Sequence, residues 1–126
     1  MQAGAFGLRH GKILILFPEG ERSIDGEVKK FKKGASILSL HLGAPIVPVA
    51  LEGGFKIWPR GRLPQRLARV RMSFGKPLAP PAALPSGTSL TQAEAHYVAG
   101  ANQLRSAVLE MWNAFRRPAS SPEPPA

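Results

Sequence analysis

The apolar run from Ile13 to Phe17 constrains the fold of this chain more than any other segment. It is the longest uninterrupted apolar run in the sequence, and it lies between Gly11-Lys12 and Pro18-Glu19-Gly20. A short, partly β-branched run with such borders is typical of a strand that is buried on both faces, as in parallel sheets covered by helices. We therefore predict a buried strand at Ile13–Phe17 and an α/β fold around it.

The next segments predict a helix and a second strand. The helix is expected over Lys33–Leu42, because Gly43 is suited to a helix C-terminus and Pro45 cannot continue the helix. The strand is expected at Ile46–Leu51. Pro48 lacks an N–H group, so it indicates an edge position or a bulge within that strand.

Residues of alternating character predict a third strand at Ala68–Phe74. In a half-buried strand, alternate side chains face the core. We expect Val70, Met72 and Phe74 to face the core, and the residues between them to form a basic outer face.

A long amphipathic helix is predicted over residues 91–117. Thr91 and Glu94 fit a capping box at its start, and Arg116-Arg117 suit its C-terminus. Apolar residues follow at three- and four-residue steps, which is the helical period. They are Val98, Ala101, Leu104, Val108, Met111, Trp112 and Phe115.

The predicted order is strand, helix, strand, strand, helix, and its first step has the form of a parallel βαβ unit. This is half of an α/β domain with a partly parallel sheet. We divide the chain into a partial domain at 1–90, the helix at 91–117 and a disordered, proline-rich tail at 118–126. A central strand needs neighbours on both sides, so we expect further chain upstream of residue 1.

Composition excludes several kinds of site. The chain has 126 residues and no cysteine, which excludes disulfides, Cys-ligated metals and a thiol nucleophile, and fits a reducing compartment. His10, His41 and His96 lie far apart, and we expect no metal site. No apolar stretch reaches the length of a membrane span, and the first residues do not resemble a signal peptide. We expect a cytoplasmic protein that is peripheral to the membrane.

The net charge of +9 is concentrated in the first part of the chain. Residues 53–76, called here the basic stretch, carry seven basic side chains and no acidic one. These are Lys56, Arg60, Arg62, Arg66, Arg69, Arg71 and Lys76. The stretch is either a solvated basic face or a surface for an anionic lipid, a phosphorylated small molecule or a nucleic acid.

The segment Phe17-Pro18-Glu19-Gly20-Glu21-Arg22-Ser23 follows the predicted buried strand, where α/β sheets place their ligand sites. Arg22 offers a fork of donors that suits a phosphate. The residues alone leave two interpretations open. One is an anion-binding loop, and the other is a Glu–Arg pair that stabilises a turn.

Four blocks of this sequence, taken in order, resemble the phospholipid/glycerol acyltransferase superfamily of the 1-acylglycerol-3-phosphate acyltransferase type. The first is the segment at residues 17–23. The other three are Phe31-Lys32-Lys33-Gly34-Ala35, Pro45-Ile46-Val47-Pro48-Val49-Ala50 and Phe74-Gly75-Lys76-Pro77-Leu78. The resemblance covers about residues 8–80 and implies the C-terminal half of a glycerolipid acyltransferase-like domain.

The resemblance implies acyl transfer in phospholipid biosynthesis, with no cofactor. A histidine of a His-x4-Asp block would activate an acceptor hydroxyl, which attacks the thioester of acyl-CoA or acyl-carrier protein. In this chain Arg22 would contact the phosphate of a lysophospholipid-type acceptor. Glu19, Gly20 and Ser23 would shape the loop or bond the acceptor. Supporting positions are Phe17, Pro18, Pro48 and Val49, the last two on the acyl side.

The chain departs from the family at three points, and one of them is the absence of the second family block, with its glycine and arginine. None of its histidines has an aspartate five residues later, because Ile15, Ile46 and Ala101 stand there. We therefore assign no catalytic residue to this chain and expect it to be inactive alone. The remaining departure is Glu21, which replaces the family's common threonine and adds a negative charge near the expected phosphate.

Two further hypotheses remain open. The chain could be a noncatalytic module that binds anionic lipid surfaces or protein partners. It could also bind nucleic acid through the basic stretch and Lys29-Lys30-Phe31-Lys32-Lys33, although its aromatic residues are few and it carries no RNA-binding signature.

Overall fold

A computed structural model describes residues 1–117 of the chain, in which four helices and two strands are defined. The predicted tail at 118–126 lies outside the described residues. In chain order the elements are α1 (Gln2–Arg9), α2 (Gly34–Leu42), β1 (Val49–Glu52), α3 (Gly54–Ile57), β2 (Arg71–Phe74) and α4 (Leu90–Arg116).

The helix predictions are confirmed for α2 and α4. Gly43 ends α2 with a left-handed backbone, at φ 61°, which glycine adopts without the steric cost of a Cβ atom. The capping box of α4 is formed by Ser89 and Gln92, not by Thr91 and Glu94. The predicted cap is therefore two residues too late. Glu94 forms an ion pair with Lys33, next to α2.

The predicted buried strand at Ile13–Phe17 needs correction. The segment has no strand partner among residues 1–117, and the side chains of Ile13, Ile15 and Phe17 are exposed. A buried strand requires a hydrogen-bonding neighbour and a covering layer on each face. Among the described residues β1 and β2 pair with each other, and nothing pairs with Ile13–Phe17.

The sheet consists of β1 and β2, which are antiparallel, with Val49 opposite Phe74 and Leu51 opposite Met72. Ile46 also forms an isolated antiparallel bridge with Leu78. Between this bridge and the Val49–Phe74 pair, three residue steps on the first segment oppose four on the second. This irregularity surrounds Pro48, as expected for a proline that cannot donate to the ladder. No parallel pair occurs in the part of the chain that the structure describes.

The core lies between the sheet and α4. Helix α4 packs on the face of β1 that carries Ala50, which is fully buried. The other members of this core cluster are Phe31, Ala101, Leu104, Val108 and Trp112. The opposite face of the sheet carries Val49, Leu51, Met72 and Phe74, and it is exposed. Thus the prediction that Val70, Met72 and Phe74 face the core is wrong, because α4 covers the side with the smaller residues Ala50 and Ser73.

Candidate functional site

The loop between residues 17 and 33 is held in place by its own backbone. The N–H of Gly20 donates to the carbonyl of Phe17 (2.9 Å), and the N–H of Lys32 donates to the carbonyl of Pro18 (2.7 Å). Gly20 adopts a φ of 74°, a left-handed backbone that residues with a Cβ atom rarely adopt. The tight turn at the start of the loop therefore requires glycine at this position.

Glu19 joins the two ends of the loop through its side chain. Its Oε2 accepts a hydrogen bond from the backbone N–H of Lys29 at 2.8 Å. The same part of the loop is fixed by α4, because Arg105 donates from Nε to the carbonyl of Lys29 (2.8 Å) and from Nη2 to that of Val28 (3.0 Å). Sequence reasoning missed Arg105, since nothing in an amphipathic helix pattern identifies a side chain that holds a loop 76 residues away.

Ser23 is engaged in the turn that follows. Its Oγ accepts from the N–H of Gly26 (2.9 Å), and it lies 2.9 Å from both the carbonyl of Glu27 and a carboxylate oxygen of Asp25. The backbone N–H of Glu27 and the Ser23 hydroxyl hold the pKa of Asp25 below its ordinary value. Of the two roles considered for Glu19 and Ser23, these contacts favour shaping the loop.

Arg22 has a different environment. Its side chain is exposed, and its guanidinium carbon lies 5.0 Å from the ring centroid of Trp58, as in a cation–π contact. Among residues 1–117 it forms no ion pair within 4.0 Å, and in particular none with Glu19 or Glu21. A cation–π contact does not use the N–H donors of a guanidinium as hydrogen bonds, so they remain available to a ligand.

Glu21 is neutralised by two neighbouring cations. Its carboxylate lies 2.6 Å from an Nη1 of Arg60 and 3.6 Å from Nζ of Lys29. The hydrogen bond and charge of Arg60, followed by the charge of Lys29, lower the pKa of Glu21 from its ordinary value of 4.5. The carboxylate is therefore ionised at neutral pH, and its charge is offset by cations that sequence spacing could not identify.

The basic stretch forms an open depression beside this loop, with a volume of about 560 Å³. It is lined by Ile24, Phe55, Lys56, Pro59, Arg60, Arg62, Gln65 and Arg66. Since Trp58 contacts Arg22 and Arg60 contacts Glu21, the loop and the basic stretch form one continuous cationic surface.

The four supporting positions are dispersed. Phe17 is exposed, and Pro18 lines an apolar groove of about 220 Å³ together with Leu14, Leu16 and Leu38. Pro48 and Val49 belong to the sheet: the carbonyl of Pro48 accepts from the N–H of Gly75 (2.9 Å), and Val49 pairs with Phe74.

Comparison with known proteins identifies relatives of the first part of the chain. Residues 2–52 match the sequence model of a family described as Acyltransferase. A chloroplastic 1-acyl-sn-glycerol-3-phosphate acyltransferase of Brassica napus is 44% identical over 54 residues, which are 43% of this chain and 16% of that protein. The enzyme of the same name from Limnanthes douglasii is 40% identical over 65 residues, or 52% of this chain and 23% of that protein.

A solved structure resembles the fold over most of the chain. The 1-acyl-sn-glycerophosphate (LPA) acyltransferase PlsC from Thermotoga maritima superposes with a TM-score of 0.73 at 24% identity, and the match covers 95% of this chain and 45% of that one. This chain therefore spans less than half of that structure, and its matches span about a sixth to a quarter of the curated relatives named above. The comparisons confirm the resemblance drawn from the four sequence blocks.

Proposed function

On the basis of its resemblance to the phospholipid/glycerol acyltransferases, we propose that this chain is the acceptor-binding part of such an enzyme. The complete enzyme would transfer an acyl group from acyl-CoA or acyl-carrier protein to a hydroxyl of a lysophosphatidate-type acceptor. The hydroxyl oxygen would form the new ester, and the thiol would leave with the proton taken from the hydroxyl. The base for that proton is a histidine of a His-x4-Asp block, which this sequence lacks.

The observation that carries the proposal is the guanidinium of Arg22, which forms no ion pair among residues 1–117. Glu19 and Arg105 fix the loop, Trp58 supports the guanidinium from one side, and Glu21 is already engaged by Arg60 and Lys29. A planar guanidinium held in this way presents paired donors that match two oxygens of a phosphate. Arg22 thus contacts the acceptor phosphate, while Gly20, Glu19 and Ser23 define the loop around it.

The half-domain interpretation rests on two uncovered apolar surfaces. The outer face of the sheet exposes Val49, Leu51, Met72 and Phe74, and Ile13–Phe17 exposes apolar side chains and has no strand partner among residues 1–117. Apolar surface of this extent usually marks an interaction site. We propose that further acyltransferase chain covers both surfaces and pairs with Ile13–Phe17, giving the partly parallel sheet of the complete domain.

The basic stretch fits the surface of an anionic membrane, where a lysophospholipid acceptor resides. No helix of residues 1–117 is both long and apolar enough to cross a bilayer. We propose peripheral attachment on the cytoplasmic side, with the cationic surface around Arg22 facing the lipid headgroups. The alternative, a noncatalytic module for anionic lipid or nucleic acid, uses the same basic stretch but requires nothing of Arg22 in particular.

Phosphate binding by Arg22 can be measured directly. Chemical-shift titration of the isotope-labelled chain with glycerol 3-phosphate should give saturable shifts at residues 19–23, and glycerol should give none. Hydrogen bonds to charged groups contribute about 1.5–3 kcal/mol, so Arg22→Ala should weaken binding roughly 10- to 100-fold. Arg22→Lys should restore little of it, because an ammonium group cannot provide two parallel donors.

The matched control is Arg9→Ala, which removes an exposed arginine from the end of α1. It should bind glycerol 3-phosphate like the unchanged chain. Equal affinities for Arg22→Ala, Arg9→Ala and the unchanged chain would show that the loop is not the phosphate site.

A further inference from the structure

The segment between α3 and β2, residues 58–70, is an ordered loop that contains two highly exposed leucines. Three hydrogen bonds hold its first half: Trp58 Nε1 to the carbonyl of Arg62 (2.8 Å), the N–H of Arg62 to the carbonyl of Pro59 (3.2 Å) and the N–H of Gln65 to the carbonyl of Ile57 (2.9 Å). Within this loop Leu63 is 84% exposed and Leu67 is 100% exposed.

Arginines surround these leucines. Arg62 immediately precedes Leu63, Arg66 precedes Leu67, and Arg69 follows two residues later, while residues 53–76 contain no acidic side chain. The transfer of an aliphatic side chain out of water is favourable. Arginine can bury its aliphatic stem while its guanidinium stays near polar groups. Leucine flanked by arginine therefore fits an anionic lipid interface, with acyl chains below and phosphates above.

We propose that residues 58–70 dock on an anionic bilayer, with Leu63 and Leu67 entering the acyl region and Arg62, Arg66 and Arg69 contacting lipid phosphates. This inference rests on the proposed membrane attachment and names the residues that perform it. Nucleic acid satisfies the arginines equally well, but it offers no apolar medium to leucine and is bound through aromatic stacking.

Residues 58–70 contact the candidate phosphate site directly. Trp58, the first residue of the loop, makes the cation–π contact with the Arg22 guanidinium. Arg60, also in the loop, forms an ion pair with Glu21. Docking of residues 58–70 therefore brings the candidate phosphate site to the level of the lipid headgroups. An acceptor could then reach Arg22 without its acyl chain leaving the bilayer.

The test is sedimentation of the full chain with vesicles of phosphatidylcholine alone or with 30% phosphatidylglycerol. We expect binding to the anionic vesicles only, weakening as salt rises. Leu67→Ser should reduce the partition coefficient about tenfold and Leu63→Ser/Leu67→Ser further. The matched control is Leu90→Ser, since Leu90 is 90% exposed at the start of α4. Tryptophan emission should be quenched by lipids brominated near the headgroup, through Trp58, because Trp112 is buried.

The outcomes separate this inference from the function on which it rests. Equal binding of Leu67→Ser and Leu90→Ser to anionic vesicles would overturn the leucine insertion and leave charge-based attachment standing. Absence of binding to any anionic vesicle would overturn both. Tighter binding to a single-stranded oligonucleotide than to anionic vesicles would also overturn the inference and favour the nucleic-acid module.

Discussion

Purified residues 1–126 are expected to transfer no acyl group to lysophosphatidate, from either acyl-CoA or acyl-carrier protein. A positioned general base contributes about 10²–10⁴-fold to rate, and no histidine here has the aspartate that would orient it. Two histidines are already engaged: His10 Nδ1 lies 2.8 Å from the carbonyl of Phe6, and His41 Nε2 lies 2.6 Å from the hydroxyl of Tyr97. In neither contact is the partner a carboxylate, which is the group that the resemblance requires to orient the catalytic imidazole.

The measurement is release of the donor thiol, followed with a thiol-reactive dye. The chain contains no cysteine, so it adds no background to this assay. An active lysophosphatidate acyltransferase under the same conditions serves as the positive control. Turnover that co-purifies with residues 1–126 and disappears in His10→Ala, His41→Ala or His96→Ala would identify a base that the resemblance does not provide, and would refute the assignment.

Replacement of Trp112 by alanine should be the most destabilising single change in the core. Trp112 is buried with Leu104 and Val108 on the face of α4 that covers the sheet, and Arg116 lies 4.6 Å over its ring. Aromatic-to-alanine changes in cores cost about 3–5 kcal/mol, through lost burial and the cavity that remains. This is a large fraction of the total stability of a small domain, which is about 5–15 kcal/mol.

Urea unfolding followed by circular dichroism gives the free energy of unfolding of each variant. Leu90→Ala is the matched control, since Leu90 lies on the same helix and is exposed, and it should change that free energy by less than about 0.5 kcal/mol. A cost below about 1 kcal/mol for Trp112→Ala would mean that α4 does not pack on the sheet as described.

Local signals in the sequence were sufficient for the two larger helices. The apolar period of α4 and the Gly43 end of α2 depend on neighbours along the chain, and both predictions are confirmed. Helix α1 was missed, because Gly4 and Gly7 lower helix propensity, and its packing against α2 could not be read from the sequence. The capping box was misplaced because Ser89 and Thr91 both precede a Glu or Gln at the required spacing.

Strand predictions failed where they depended on distant partners. Ile13–Phe17 has the composition of a buried strand, but residues 1–117 supply no neighbour for it. The alternation in β2 identified two faces correctly, yet it could not say which of them α4 would cover. Sequence spacing alone therefore predicts which side chains of a strand share a face, but not which element packs on that face.

The candidate site was predictable as a loop but not as a surface. The segment at residues 17–23 stands out in the sequence, and Gly20 has the left-handed backbone that such a turn needs. Its contacts come from residues far along the chain: Trp58 under Arg22, Arg60 beside Glu21 and Arg105 behind Lys29. Long-range contacts of this kind have no signature in a single sequence.

Acceptor saturation kinetics test the central claim, which is that Arg22 binds the acceptor phosphate. The assay uses an active enzyme in which residues 1–117 of this chain, with α1 and α4 included, follow the catalytic block of a relative. Arg22→Lys should raise KM for lysophosphatidate at least tenfold with kcat nearly unchanged, since the lost contact stabilises ground state and transition state alike. Arg9→Lys, which is a conservative change outside the site, should leave KM and Tm of the same enzyme unchanged. An Arg22→Lys enzyme with the parent's KM and Tm would contradict the claim.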